Sequence, residues 1–486
     1  MNREIRRVSL VVAAMFTALA IAVSTIQFGQ AATLRADGRN SRTFYDSFTR
    51  DRGPIWAQGG AVLAHSEEVN DDYSYQRIYD NGPLYAPVTG YVTVVGPASG
   101  LELMEDEVLL GTADSLPFAW ERLQDLFTGA EPTGGAVEVT IDPAVQQAAW
   151  DALGDQRGAA VALDAKTGEI LALVSKPSFD PNALAVHQPT AVIQAYDALE
   201  KDPANPLYNR AISGDLYAPG STFKLVVAAA ALESGGYSAD SELEAPDALD
   251  LPGSSNQLTN FGESSCARSG RMTLADALTI SCNTAFGWLG MELGQAQIAE
   301  QAERFGFGQD LSIPLYVRPS SFPTNMDGAQ TALAAIGQFN DKVTPLAMAM
   351  VVAAIANGGR LMSPHLVRTE RDADYDVVVE TPVEELGRPL SAANAAVLRD
   401  MMLQVVAEGT GKRAQVDGVT VGAKTGTAEQ AKGEPPDVWT VAFGELEGRV
   451  VALAVVVEDG GAAGVAGTGG TVAAPMAAAI LRAVFQ

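Results

Sequence analysis

The sequence predicts an α+β protein built round one sheet whose two halves lie far apart along the chain. Three observations carry this. Two apolar strands, Ala159–Leu163 and Ile170–Val174, stand early. Three more, Thr420–Ala423, Val438–Phe443 and Val450–Val457, stand near the C-terminus. Between them, residues 188–358 have helical texture, which reads as a helical lobe inserted into the sheet domain. The expected divisions are 1–30 for a tail and membrane anchor, 31–154 for an accessory module with its linker, and 155–486 for the main domain.

The elements follow in order. Arg3, Arg6 and Arg7 precede an apolar run of 21 residues, Val8–Phe28, and no charge returns until Arg35. At ~1.5 Å rise per residue such a run spans a ~30 Å hydrocarbon core. It exceeds the ~7–15 residues of a secretory h-region, which favours an uncleaved anchor; Ala18, Ala20 and Ala22 keep a cleaved leader open. Arg35, Arg39, Arg42, Arg50 and Arg52 follow the run, so the positive-inside count does not orient it. A short basic tail ahead of a first apolar run is the usual export arrangement, which places the bulk of the chain outside the cell membrane. Residues 31–135 are polar and turn-rich. Gly53-Pro54, Gly59-Gly60, Asn81-Gly82-Pro83 and Gly96-Pro97 punctuate short apolar runs, so a small, mostly β module is expected. Thr128–Gly135 reads as a linker. Val137–Ile141 alternates as a strand, and Asp142-Pro143 opens a helix to Leu153, with Asp as N-cap and Pro at N1. Asp164–Gly168 joins the early strands as a hairpin, Glu445–Gly448 joins the last two, and a helix over Val472–Val484 closes the chain.

Composition removes several function classes. Apolar residues make up 47% and charged residues 19%, which excludes wholesale disorder. A net charge of -27 repels phosphate backbones, so no nucleic-acid partner is expected. His65, His187 and His365 are the three histidines, and none stands at zinc spacing from another His or a Cys, so no metal site is expected. Cys266 and Cys282 are close enough to pair. Closing a loop of ~15 residues stabilises by about 3 kcal/mol in the chain-entropy model. Two separate buried thiols are the alternative.

Three short motifs carry chemistry. In Ala218-Pro219-Gly220-Ser221-Thr222-Phe223-Lys224 a Pro-Gly turn leads into the apolar helix Leu225–Leu232, which ends at Gly235-Gly236. Ser221 stands at the helix N-terminus, with Lys224 one turn on at ~5–6 Å between Cβ atoms. A helix apolar all round is buried, and both burial and the positive end of the helix dipole disfavour a charged lysine there. A lysine driven toward neutrality can take the Ser221 proton. Ser-x-x-Lys alone arises by chance about once or twice in such a chain, given average usage. Ser281-Cys282-Asn283 sits at a corner between the helices Leu274–Ile280 and Thr284–Leu293, where a hydroxyl and a carboxamide can relay a proton and hold a peptide amide. Ser254-Ser255-Asn256 repeats the pattern in a Pro/Gly loop. Lys424-Thr425-Gly426-Thr427 follows the strand Thr420–Ala423 and suits a carboxylate-bearing peptide. Lys166-Thr167-Gly168 repeats it within the early hairpin and is assigned to turn chemistry.

Taken in this order, Ser-x-x-Lys, Ser-x-Asn and Lys-Thr-Gly resemble the signature set of penicillin-binding proteins and serine β-lactamases. Further stretches narrow the resemblance to the monofunctional class B penicillin-binding proteins: Arg52-Gly53-Pro54-Ile55, Gly100-Leu101-Glu102, Thr140-Ile141-Asp142, 176–182, Asn209-Arg210-Ala211, Thr344-Pro345-Leu346, 356–359 and Glu408-Gly409-Thr410. The compact module and two cysteines are most similar to the actinobacterial penicillin-binding protein A group. The sequence departs from the pattern at Gly422-Ala423 and in Asp437-Val438-Trp439-Thr440, which lacks the usual aromatic pair. No glycosyltransferase domain is expected before the module, and no repeat domain after Gln486.

The resemblance implies an antiparallel five-stranded sheet with helices on both faces plus an all-helical lobe, and peptidoglycan D,D-transpeptidation. Ser221 would attack the carbonyl between two terminal D-alanines, with Lys224 as base and Lys424 helping to keep it neutral. Ser281 would pass a proton to the leaving D-alanine, and Asn283 would orient the peptide amide. Lys424, Thr425 and Thr427, with Gly426 giving access, would bind the terminal carboxylate, and the N–H groups of Ser221 and Thr427 would form the oxyanion hole. No cofactor is implied. β-Lactams would acylate Ser221, and a membrane glycosyltransferase of the shape, elongation and division type would supply glycan. A D,D-carboxypeptidase or β-lactamase of the same fold, and a non-catalytic penicillin-binding scaffold, remain the rival readings.

Overall fold

The structure, a computed structural model, describes residues 2–26, 45, 47–113, 118, 133–430 and 433–486. Most of the expected linker, 128–132, lies outside the described residues, as do positions 27 and 28 of the apolar run. Helix α1 (Asn2–Ser24) carries that run; it is long and apolar enough to cross a membrane, and none of its apolar window is buried against the protein.

The accessory module begins with strands β1 (Ile55–Trp56), β2 (Val62–Glu68) and β3 (Tyr75–Tyr79). It is less purely β than its turn signals suggest. Asn81-Gly82-Pro83 starts a helix, Gly82–Thr89, and two short helices follow at Gly100–Met104 and Asp106–Leu109. Proline at the first turn suits a helix, so a Gly-Pro pair that breaks a strand pattern can equally open one. Strand β4 (Val137–Val139) then runs parallel to β1. The Asp142 side chain caps the next helix, α2 (Pro143–Leu153), by accepting from the N–H groups of Ala144 and Val145.

Strands β5 (Gly158–Asp164) and β6 (Ile170–Lys176) form the expected hairpin. In the helical stretch, the fully buried helix α3 (Lys224–Glu233) is followed by α4 (Leu274–Thr279), α5 (Asn283–Arg304) and α6 (Pro345–Ala356). Helix α5 is interrupted at Gly294, one residue past the expected end. The same stretch also holds two-stranded ribbons of two or three residues a side, 242–244 with 271–273, 248–250 with 257–259, and 311–312 with 316–317. Strands β7 (Val367–Arg371) and β8 (Val377–Glu380) return to the module and complete a six-stranded sheet in the order β8-β7-β4-β1-β2-β3. After α7 (Ala392–Ala407) come β9 (Thr420–Ala428), β10 (Asp437–Leu446), β11 (Arg449–Val457) and α8 (Ala474–Phe485).

The main sheet has the order β9-β10-β11-β5-β6 and is antiparallel throughout. Its strands are apolar at nearly every position because both faces are covered. Ala452, Ala454 and Val456 face the core shared with α3 and α6, while Val451, Leu453 and Val455 face α2 and α8. Strand β9 is an edge strand and ends beside the N-terminus of α3.

One buried charge cluster holds the module together. Glu102 is fully buried between Arg52 (Nε–Oε2 2.5 Å) and Arg77 (Nε–Oε1 2.7 Å), both themselves buried. Burial pushes the Glu102 carboxyl up, but Arg77 and Arg52 together hold it below the usual carboxylate range. Removing one member leaves unpaired buried charge. Glu102→Ala should therefore cost about 3–5 kcal/mol in a denaturant titration; a loss below about 1 kcal/mol would contradict the argument.

Candidate functional site

The three motifs meet where the edge of the main sheet faces the N-termini of α3 and α5. The Pro219-Gly220 turn runs into a short 3₁₀ segment, Gly220–Phe223, that continues as α3. Gly220 has φ +53, and a Cβ there would lie 3.0 Å from the Thr427 carbonyl group, so only glycine lets the Ser221 turn lie against β9. Gly337 (φ +74) approaches from the other side. Its carbonyl accepts from the Gly220 N–H at 3.0 Å, and a Cβ there would overlap the Gly220 carbonyl. The turn is fixed from beneath by Trp439, fully buried, whose indole N–H donates to the Ala218 carbonyl at 3.1 Å. Trp439 lies in the stretch that lacks the expected aromatic pair, and its buried ring supports the turn from below. Tyr217 adds a bond from its hydroxyl to Glu458 at 2.7 Å, and Arg210 holds Glu458 at 2.8 Å.

Lys224 is wholly buried. Its Nζ donates to the Ser281 carbonyl (2.8 Å) and to Asn283 Oδ1 (2.7 Å), and lies 3.3 Å from Ser281 Oγ. Lys424 is also wholly buried, and its Nζ donates to Ser281 Oγ (2.8 Å) and to the Thr425 carbonyl (2.7 Å). Ser281 therefore bridges the two amines, with its backbone in the left-handed region at φ +61. Burial holds Lys224 well below the usual lysine range, and the neighbouring Lys424 charge lowers it further. Burial brings Lys424 down to about 7.

The hydrogen bonds allow Lys224 to work as a neutral amine. A carbonyl and a carboxamide oxygen have no proton to give. A neutral Lys224 spends its two hydrogens on them and keeps a lone pair for a hydroxyl. Lys424, donating to Ser281 Oγ, leaves the Ser281 proton free to point at that lone pair. The arrangement fits a charged Lys424 beside a neutral Lys224. Ser221 is half-buried, and its hydroxyl makes no hydrogen bond among the described residues. The expected Ser221–Lys224 pair is thus a one-turn neighbour joined through the Lys224 N–H and the Ser221 carbonyl, with the amine engaged by Ser281 and Asn283.

The rest of the predicted set converges here. Lys424-Thr425-Gly426-Thr427 lies inside β9, which runs to Ala428 rather than stopping at Ala423. The second copies lie elsewhere. Ser254-Ser255-Asn256 is an exposed ribbon turn, and Lys166 caps the hairpin by donating to the Gly448 carbonyl. Cys266 and Cys282 form a disulfide that ties the middle residue of Ser281-Cys282-Asn283 to the preceding loop. Three supporting residues were given no role by the sequence, although Thr410 stands in the Glu408-Gly409-Thr410 stretch. Asn260 Oδ1 accepts from the N–H groups of Asn283 (2.9 Å) and Thr284 (3.1 Å), capping α5 from outside it. Thr410 Oγ1 meets Thr425 Oγ1 at 2.6 Å. Gln338 reaches the Thr427 carbonyl at 3.4 Å. Among the described residues no His/Cys/Asp/Glu group is arranged to hold a metal ion.

The family of the penicillin binding protein transpeptidase domain matches residues 158–482, and that of the penicillin binding protein A dimerisation domain matches 52–137. The chain belongs to the penicillin-binding proteins. Over 495 residues it is 40% identical to the peptidoglycan D,D-transpeptidase PbpA of Mycolicibacterium smegmatis, covering 100% of this chain and 99% of that one. The structure of penicillin-binding protein A from M. tuberculosis as a ceftriaxone acyl-enzyme superposes with a TM-score of 0.86 at 39% identity, covering 91% of this chain and 100% of that one. The penicillin G acyl-enzyme of the same protein gives 0.84 at 40% identity, covering 90% and 100%. The penicillin-binding fold and the disulfide expected from sequence are both present.

The two lysines set a pH dependence. With Lys224 read as the base, the second-order acylation constant should rise with pH through the depressed Lys224 titration. A charged Lys424 suits the substrate carboxylate, so the constant should fall again as pH rises through about 7. Labelling rates with a fluorescent penicillin between pH 4 and 9 read both limbs; a plateau unbroken to pH 9 would refute the Lys424 assignment. Asn260→Leu frees the α5 N-terminus and should lower the same constant by up to about 10²-fold, the effect of a misplaced reacting group, with little change in circular dichroism.

Proposed function

We propose that this penicillin-binding protein is a membrane-held peptidoglycan D,D-transpeptidase that works through an acyl-enzyme on Ser221. The observation that carries the reading is the Lys224–Ser281–Lys424 line of amines and hydroxyl beside an unbonded Ser221 hydroxyl. Ser221 Oγ attacks the carbonyl between the two terminal D-alanines of a stem peptide, and its proton passes to Lys224 Nζ. The tetrahedral oxyanion lies between the N–H groups of Ser221 and Thr427. The Thr427 carbonyl points away from β10, toward Gln338, and in a strand the N–H of a residue points the same way as its carbonyl. Ser281 passes the proton from Lys224 to the leaving amine, the C–N bond breaks, and D-alanine departs.

An amine of a second stem peptide then attacks the ester. Its proton goes to Lys224, the ester C–O bond breaks, and Lys224 returns a proton to Ser221. Lys424, Thr425 and Thr427 hold the donor's terminal carboxylate, Gly426 keeps the strand surface open, and Asn283 orients the donor's amide. A β-lactam enters as the first substrate does and leaves Ser221 esterified.

Helix α1 holds the chain in the cell membrane, with both the module (31–154) and the transpeptidase domain (155–486) on the extracytoplasmic side. A membrane glycosyltransferase of the shape, elongation and division type supplies the glycan, met through the anchor and the module. Ser221→Ala should abolish covalent labelling by a fluorescent penicillin, and persistent labelling overturns the assignment. Ser281→Ala should lower acylation by about 10²–10⁴-fold, the usual range for a proton-transfer group. The benzylpenicillin adduct should outlast many acylation half-times in the mass spectrum; rapid turnover would favour the hydrolase reading.

A further inference from the structure

We infer that Gln338 is a specificity-determining residue that guards the backbone acceptor needed by acyl donors with an amide N–H beside the scissile carbonyl. The inference rests on the transpeptidase reading above. Strand β9 is the edge of its sheet, so alternate N–H and C=O groups along it face away from β10. A peptide laid along such an edge is held by those groups. At Thr425 the carbonyl is already taken by Lys424 Nζ at 2.7 Å. At Thr427 the outward carbonyl is taken by Gln338 Nε2 at 3.4 Å. A donor N–H that approaches the Thr427 carbonyl from the open edge therefore meets the Gln338 carboxamide and competes with it for that oxygen.

The displacement is confined to the side chain. The Gly337 carbonyl accepts from the Gly220 N–H at 3.0 Å, and the Gln338 N–H donates to the Leu333 carbonyl at 3.0 Å. Phe339 follows at φ +92, a conformation that a bulky residue adopts only when its surroundings impose it. The backbone at 337 and 338 is thus held by hydrogen bonds, while the half-buried Gln338 side chain is tied only by its contact with Thr427 among the described residues. A contact of 3.4 Å is at the long end for N–H···O, so a well-aligned backbone amide replaces it. A donor without that N–H leaves Gln338 in place. The residue thereby distinguishes two classes of acyl donor that share a carboxylate and a reactive carbonyl.

Penicillin G carries an acylamido N–H, and imipenem carries a hydroxyethyl group instead. The second-order acylation constants of both are measured on the full chain in detergent for the wild type, Gln338→Leu and Gln338→Ala. The ratio of penicillin G to imipenem should rise about three- to tenfold in both variants, the factor carried by one neutral hydrogen bond. Using a ratio removes losses from partial misfolding, which lower both constants together. An unchanged or lowered ratio in either variant overturns the role of Gln338. Absence of acylation by either drug in the wild type would instead sink the transpeptidase reading itself.

Discussion

Two lysine amines, each wholly buried, share one half-buried serine hydroxyl, and burial disfavours a full charge on both at once. At the distances found, Lys424 at 2.8 Å and Lys224 at 3.3 Å from Ser281 Oγ, like-charge repulsion adds to desolvation. The constraint has a sign in stability. Lys424 is held at about 7, against roughly 10.4 for a free lysine, so near neutrality the unfolded chain binds more protons than the folded one. Its contribution to stability rises with pH between those values and is lowest below them. The site is thus bought with destabilisation at working pH. The offset lies in α3, buried from Lys224 to Leu232, and in a sheet apolar on both faces.

The same constraint explains why three distant segments must meet. Neither lysine finds an adequate set of acceptors on its own element. Lys224 borrows the Ser281 carbonyl and Asn283 from the corner before α5, and Lys424 borrows the Ser281 hydroxyl. The corner needs support in turn. Ser281 sits at φ +61, and the first N–H groups of α5 are capped by Asn260 rather than by a residue of the helix's own start. The disulfide ties Cys282 to the same preceding segment. The Lys224–Ser281–Lys424 line rests on a corner secured twice, by the Asn260 cap and by the disulfide.

Much of this was legible because local pattern and chemistry coincided. Leu225–Leu232 is apolar on every side, so a buried helix behind Ser221 followed directly. Asp142-Pro143 marked its helix start, and the β5–β6 and β10–β11 hairpins announced their turns. Reading failed where the pattern was weak or the partner distant. Strand β9 seemed to end at Ala423 because Lys-Thr-Gly-Thr is not apolar, yet its pairing with β10 continues to Ala428 opposite Asp437. Ribbons such as 257–259 are too short for alternation to show. Gln338 and Asn260 act on backbone groups that only the folded chain brings near, so no spacing could reveal them; Thr410 stood in a stretch that carried the resemblance, but its Thr425 partner was not readable.

The module illustrates the long-range case most fully. Its sheet is closed by β7 and β8, which stand more than two hundred residues after β4. Val367 lies opposite Val139, and the next segment of chain is α2, which packs on the main sheet. The His365 carbonyl accepts from the Ile170 N–H of β6 just before β7 begins, and the Thr140 hydroxyl donates to the Ile170 carbonyl from the other side. Backbone bonds therefore run without a break from the module's sheet through residues 140 and 365 into the sheet that carries Lys424. A displacement of the module cannot be absorbed by a slack joint at this seam, because each extended segment crossing it is hydrogen-bonded on both sides. A displacement of the module is therefore passed to the main sheet through paired backbone as well as through side-chain contact.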